Sequence, residues 1–143
     1  MRSDTSEEIA RFDWVRRSSI QEAACLTFVR DNDVVRTAQS FGAVVDQVQR
    51  FDFEEFCEES FALQEAYAVI GVRDLGRWLL IVEDNGYQGA RPEVLRRVSR
   101  GTEAISAFWN VNALTRFSYA ADGEVRTSFE ALMPEIRQGT HPD

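Results

Sequence analysis

The sequence predicts an α+β domain: a five- to six-stranded, largely antiparallel sheet with flanking helices, in the order α-β-α-α-β-β-α-β-β-β. Three observations carry this expectation. The stretch Glu65–Gly89 holds two apolar runs, Tyr67–Val72 and Arg77–Val82, joined by a short turn over 73–76. From Ile105 the chain alternates residue by residue, as half-buried strands do, and then reverses at Asp122–Gly123. Elsewhere apolar residues recur at helical spacing behind Asp, Ser or Pro, the residue types that start helices. At 143 residues the chain fits a single domain over 1–143 with a core of its own.

At the N-terminus, Ser3–Ser6 precede Glu7 and Glu8, a cap followed by carboxylates suited to the positive end of a helix. Ile9 and Phe12 follow at helical spacing and Trp14 and Val15 widen the stripe, so a helix is expected over 6–17, ending at Ser18–Ser19. Ala23–Arg30 is β-branched and aromatic enough for a strand, with Ala24, Leu26 and Phe28 on one face and Cys25, Thr27 and Val29 on the other. Asp31–Asn32–Asp33 then caps a helix over 33–41, with Val34, Val35, Ala38 and Phe41 inward and Gly42 closing it. No period is visible over 43–51. In Asp52–Ser60, Asp52 and Glu55 stand at capping-box spacing. Phe53, Phe56, Cys57 and Phe61 form the inner stripe of that helix, and Glu54, Glu55, Glu58 and Glu59 its outer face.

The hairpin comes next. Trp78, Leu80 and Val82 fall on one face of its second strand, Leu79 and Ile81 on the other. A strand with one wet face alternates in polarity and this one does not, so the hairpin is expected at the centre of the sheet, covered on both sides. Glu83 is the first charge after the run, and Asp84–Asn85–Gly86 break it. Ala90–Gly101 reads as a helix with Pro92 in its first turn, Val94, Leu95 and Val98 inward, and Arg91, Arg96, Arg97 and Arg100 outward. In the last third, Ile105, Ala107, Trp109 and Val111 alternate with Ser106, Phe108, Asn110 and Asn112. A two-residue loop at Asp122–Gly123 would pair Tyr119 with Arg126 and Phe117 with Ser128, mixing polarities on one face. A three-residue loop, Ala121–Gly123, pairs Tyr119 with Val125 and Phe117 with Thr127. The second keeps one face apolar and is the expected register, with Gly123 left-handed. A flexible tail is expected from about residue 134.

The net charge of −8 argues against general binding to nucleic acid or to anionic membranes, both of which need a basic surface. All sixteen basic side chains are Arg, so lysine Schiff-base chemistry is excluded. The N-terminus lacks the apolar run of a signal peptide and no stretch is long enough to span a bilayer, which predicts a cytoplasmic protein. Cys25 and Cys57 are expected as free thiols. The single His, His141, stands near the C-terminal end, which disfavours Ser-His and Cys-His machinery and His-based metal sites. No catalytic residue, metal or cofactor is expected.

One polar constellation remains. If the second hairpin strand lies beside Ile105–Val111, then Glu83, Asn85 and Tyr87 approach Asn110, Asn112 and Arg116. Two amides beside a carboxylate and a guanidinium suit a polar ligand or a peptide backbone, although the same residues also terminate strands and tie loops. The acidic helix over 52–60 could meet a cation or a basic partner. The Arg-rich helix over 90–101 could meet phosphate or an acidic neighbour, including that acidic helix itself. A solvated face is the ordinary meaning of either run.

The runs G-R-W-L-L-I-V-E-D-N-G-Y-Q-G from Gly76, then R-P-E-V-L, F-W-N-V-N and F-S-Y-A-A-D-G, resemble an uncharacterised family of small bacterial proteins. This is a domain of unknown function from high-GC, actinomycete-type genomes. The similarity covers roughly Ala23–Leu132 and is strongest over 76–129, with Tyr87 standing where the family has Trp. It implies the domain limits and a bacterial cytoplasm, and it carries no activity or site residues. The expected function is a non-catalytic interaction, accessory or regulatory module, immunity-like or a pathway accessory, that binds a protein partner. A basic partner would suit the acidic helix, and a homodimer stays open. The alternative is a small-polar-ligand binder or enzyme with its site at the strand-end edge around Glu83, Asn110, Asn112 and Arg116.

Overall fold

The computed structural model describes residues 13–45 and 48–143. Its strands are β1 (Ala24–Val29), β2 (Gly71–Asp74), β3 (Leu79–Asp84), β4 (Glu103–Trp109), β5 (Thr115–Ala121) and β6 (Glu124–Phe129). They form one sheet in the order β2-β3-β1-β4-β5-β6, with every neighbouring pair antiparallel. The helices are α1 (Asp13–Arg16), α2 (Val34–Ser40), α3 (Phe53–Leu63) and α4 (Pro92–Val98), with 3-10 turns at Ser19–Gln21 and Gln88–Ala90. The expected α+β architecture is present. The cap at Ser3–Ser6 and the stripe from Ile9 to Phe12 lie outside the described residues.

The hairpin β2–β3 is not the centre of the sheet. β2 is an edge strand and β3 lies next to it, while β1 sits between β3 and β4. The two-faced apolarity of β3 has another cause: this half of the sheet carries helices on both sides. On the first face, Val29, Leu79 and Ile81 pack with Phe41 after α2 and with Val94, Leu95 and Val98 of α4. On the second, Ala24 and Val82 pack with Ile20 and with Phe56 of α3. Burying both faces excludes water without requiring a central position.

Caps follow the sequence closely. Asp33 accepts from the Arg36 N–H at the start of α2. Asp52 and Glu55 form the reciprocal capping box of α3. Inward faces follow it less well. Ala38 and Phe41 are buried as expected, but Val34 and Val35 are exposed and Thr37 is buried in their place; Arg97 Nε of α4 donates to the Ser40 carbonyl at the end of α2 at 3.1 Å. In α3 the buried pair is Phe56 and Ser60, four residues apart, while Phe61 points to solvent.

The β5–β6 register differs from both alternatives read from the sequence. Asp122 and Gly123 take φ of 52° and 81° in a two-residue turn that pairs Ala121 with Glu124. Positive φ at both central positions is the hairpin geometry that Asp-Gly favours. The register then shifts between Tyr119 and Ala120, so Tyr119 faces Thr127 and Phe117 faces Phe129. The bulge takes up Arg126 and restores an apolar face that a regular two-residue hairpin would have lost. The rings of Phe117 and Phe129 lie 5.0 Å apart.

The tail expected to be flexible is hydrogen bonded to β6. Ser128 and Gln138 exchange both backbone bonds, at 2.8 and 2.9 Å, and the Thr140 and His141 N–H groups donate to the Val125 and Arg126 carbonyls.

Candidate functional site

β1 separates β3 from β4, so the premise that brought the six candidate residues together does not hold. Glu83, Cys25, Phe108 and Arg116 fall in one transverse row on the first face. Three strand spacings, about 14 Å, therefore separate Glu83 from Arg116. Asn85 donates its backbone N–H to the Ala23 carbonyl, two strands away from Asn110. Glu83, Asn85 and Tyr87 do share a cavity of about 300 Å³ at the end of β3, together with Ser60 and Gln64 of the α3 end. Asn110, Asn112 and Arg116 do not line it.

Within that cavity Glu83 acts as an internal lock. It is 2 % exposed, and its two carboxylate oxygens accept the Gln88 and Gly89 N–H groups, each at 2.8 Å. The carboxylate thus satisfies the donors that open the 3-10 turn before α4 and folds the loop 85–91 back onto the sheet. Burial raises its pKa, with the two backbone donors opposing. Cys25, its register partner on β1, is fully buried, lies 3.4 Å from Ser106 Oγ and is pushed up to about 12, first by burial and then by the Glu83 charge. A thiol held protonated and away from solvent is a poor nucleophile.

Asn110 serves the β4–β5 turn. Its Oδ1 accepts the Asn112 and Leu114 N–H groups at 3.0 and 3.1 Å, beside Ala113 in a left-handed conformation with φ of 59°. Asn110→Ala is therefore expected to lower stability by about 1–2 kcal/mol in urea denaturation, through two turn N–H groups losing their acceptor. An unchanged midpoint would free Asn110 for a role in binding.

A different surface lies on the second face of the sheet. There Phe28 and Ile105, then Tyr119 and Thr127, run across β1, β4, β5 and β6 in one row, with Ala107, Phe117 and Phe129 in the next. All are half-buried, and none belongs to either of the two packed clusters. The cover on this face, Phe56 of α3 with Ile20 and Val15, packs toward β1, β3 and Trp109. The shelf has a polar border. Tyr119 donates its phenol to Glu103, which also pairs with Arg30, and the Arg137 guanidinium stands 5.4 Å over the Phe129 ring.

A family model described as a family of unknown function (DUF6461) matches residues 5–143. The chain belongs to that family. The match runs beyond the resemblance seen over Ala23–Leu132 toward both ends. No curated protein and no solved structure matches the chain.

For this DUF6461 chain, then, the chemistry has to come from the residues themselves. Among the described residues no group of three His, Cys, Asp or Glu is placed to hold a metal ion, and no helix is long and apolar enough to cross a membrane. The acidic helix α3 and the Arg-rich α4 pack on opposite faces, so the Arg cluster does not answer the protein's own acidic helix. Charged and amide residue types drew the sequence-based expectation to strand ends. The aromatic shelf carried only the i, i+2 signal of Phe117 and Tyr119, which does not say whether a helix covers that face.

Proposed function

We propose that this DUF6461 chain is a non-catalytic module that docks a protein partner on the aromatic shelf of its sheet. The observation that carries the reading is the set Phe28, Ile105, Phe117, Tyr119 and Phe129, half-buried and outside both cores. Contiguous apolar surface of this kind, bordered by charges, is typical of interaction sites. α3 packs on the same face and keeps Glu54, Glu55, Glu58 and Glu59 exposed, which suits a partner with an apolar centre and a basic rim. The expected cytoplasmic, accessory or immunity-like role belongs to the same proposal. The alternative, a small polar ligand at the strand-end edge, would have to use the cavity of Glu83, Asn85 and Tyr87 without Asn110, Asn112 or Arg116.

Affinity capture from native extract, with the wild type beside Phe117→Gln and Arg77→Gln, tests the reading. A partner retained by Arg77→Gln, lost with Phe117→Gln at an unchanged melting temperature, and released steeply by salt is the expected result. The same proteins captured by all three, or binding insensitive to salt, would sink it.

A further inference from the structure

On the first face, the residues Thr27, Ser106, Ser118 and Ser128 are register partners across four strands, all buried. This row interrupts the packed Val, Leu, Ile and Ala side chains of that face. Its outer end opens into a cavity of about 460 Å³ between α4, β5–β6 and the tail at Gln138–Thr140, on the opposite face from the aromatic shelf and lined by none of Glu83, Asn85 or Tyr87. We propose that this cavity binds a small organic acid, a carboxylate carried on an apolar body.

The donor count points to an anion. Arg116 Nη1 donates to Ser128 Oγ at 3.1 Å, and Ser118 and Ser128 share one hydrogen bond at 3.0 Å. Two hydroxyl protons and one bond between them leave one O–H without an acceptor among the described residues, at a pair 2 % and 7 % exposed. A buried donor left unmade is costly, and a carboxylate oxygen would complete it. Arg96 and Arg116 both line the cavity, and neither forms an ion pair among the described residues, whereas Glu124 is the single acidic residue in the lining. The guanidinium of Arg116 has a second edge for a forked carboxylate contact. Pro92, Leu95 and Val125 supply the apolar wall, and the volume falls in the range of small-molecule sites.

Fluorine NMR of 4-fluorophenylacetate with the full chain tests the site, with 4-fluorophenylacetamide as the neutral counterpart and inorganic phosphate as the competing anion. Saturable binding of the acid, with the amide and phosphate much weaker, is expected. Arg116→Gln and Ser118→Ala should each weaken it about tenfold or more, at unchanged melting temperature, and Arg77→Gln should leave it intact. Equal binding of the amide, binding of phosphate in place of the acid, or no saturable binding of 4-fluorophenylacetate overturns the proposal.

Discussion

Gly89→Ala is expected to destabilise the fold by about 3 kcal/mol, near the upper end for overpacking a filled core. A Cβ at residue 89 would stand 2.0 Å from Thr27 Oγ1, 3.1 Å from Cys25 Sγ and 3.2 Å from a Glu83 carboxylate oxygen. No flexible end can yield there, since Thr27 and Cys25 are fully buried on β1 and Glu83 is held by two backbone donors. The loop has to lift, and the lock on Glu83 opens with it. For a chain of this size the loss corresponds to a fall in melting temperature of roughly 10 °C. A variant that melts with the wild type would mean that the loop 85–91 does not lie on the sheet.

The second large effect concerns Glu83 itself. Glu83→Leu removes the acceptor of two buried N–H groups and should cost about 4 kcal/mol in urea denaturation, at about 2 kcal/mol for each orphaned donor. Glu83→Gln keeps one acceptor oxygen and should lose about half as much at neutral pH. The pH dependence adds a signature. Burial raises the folded pKa of Glu83 above its unfolded value. Between the unfolded and folded values the native state holds a proton that the unfolded state has released. Its contribution to stability is fully present below the ordinary carboxylate range and is lost as pH rises through the raised folded value. Stability of the wild type should fall over that interval, and Glu83→Gln should flatten the fall. Parallel curves for the two proteins would remove Glu83 from the account.

Much of the fold is legible in the sequence alone, and the exceptions have physical causes. Capping at Asp33 and at Asp52 with Glu55 was readable because both devices are local, closed within four residues. Side-chain faces of β1, β3 and β4 were readable because strand alternation is rigid. Strand order was not. Apolarity on both faces reports that β3 is covered, and it cannot distinguish a strand at the centre from one beside an edge. The β5–β6 register failed because both alternatives assumed a regular ladder, whereas the bulge at Arg126 combines the favoured Asp-Gly turn with an apolar face. The candidate site failed with the strand order: once β1 intervenes, Glu83 and Arg116 belong to different places. Glu83 was recognised as unusual from its position after an apolar run. That its carboxylate would be consumed by the Gln88 and Gly89 N–H groups depends on how the following loop folds back, and no spacing encodes that.

The tail that runs along β6 changes what the sheet can offer to other chains. By exchanging bonds with Ser128 and taking the Val125 and Arg126 carbonyls, residues 138–141 occupy the hydrogen-bonding rim that an incoming strand would need. At the other rim β2 is only four residues long and ends on the exposed, charged Arg73 and Asp74. Short, charged or covered rims are how sheet proteins avoid zipping together. Recognition by strand addition is thereby blocked along β6 and disfavoured at β2. A partner of this sheet is better placed to lie across it than to extend it.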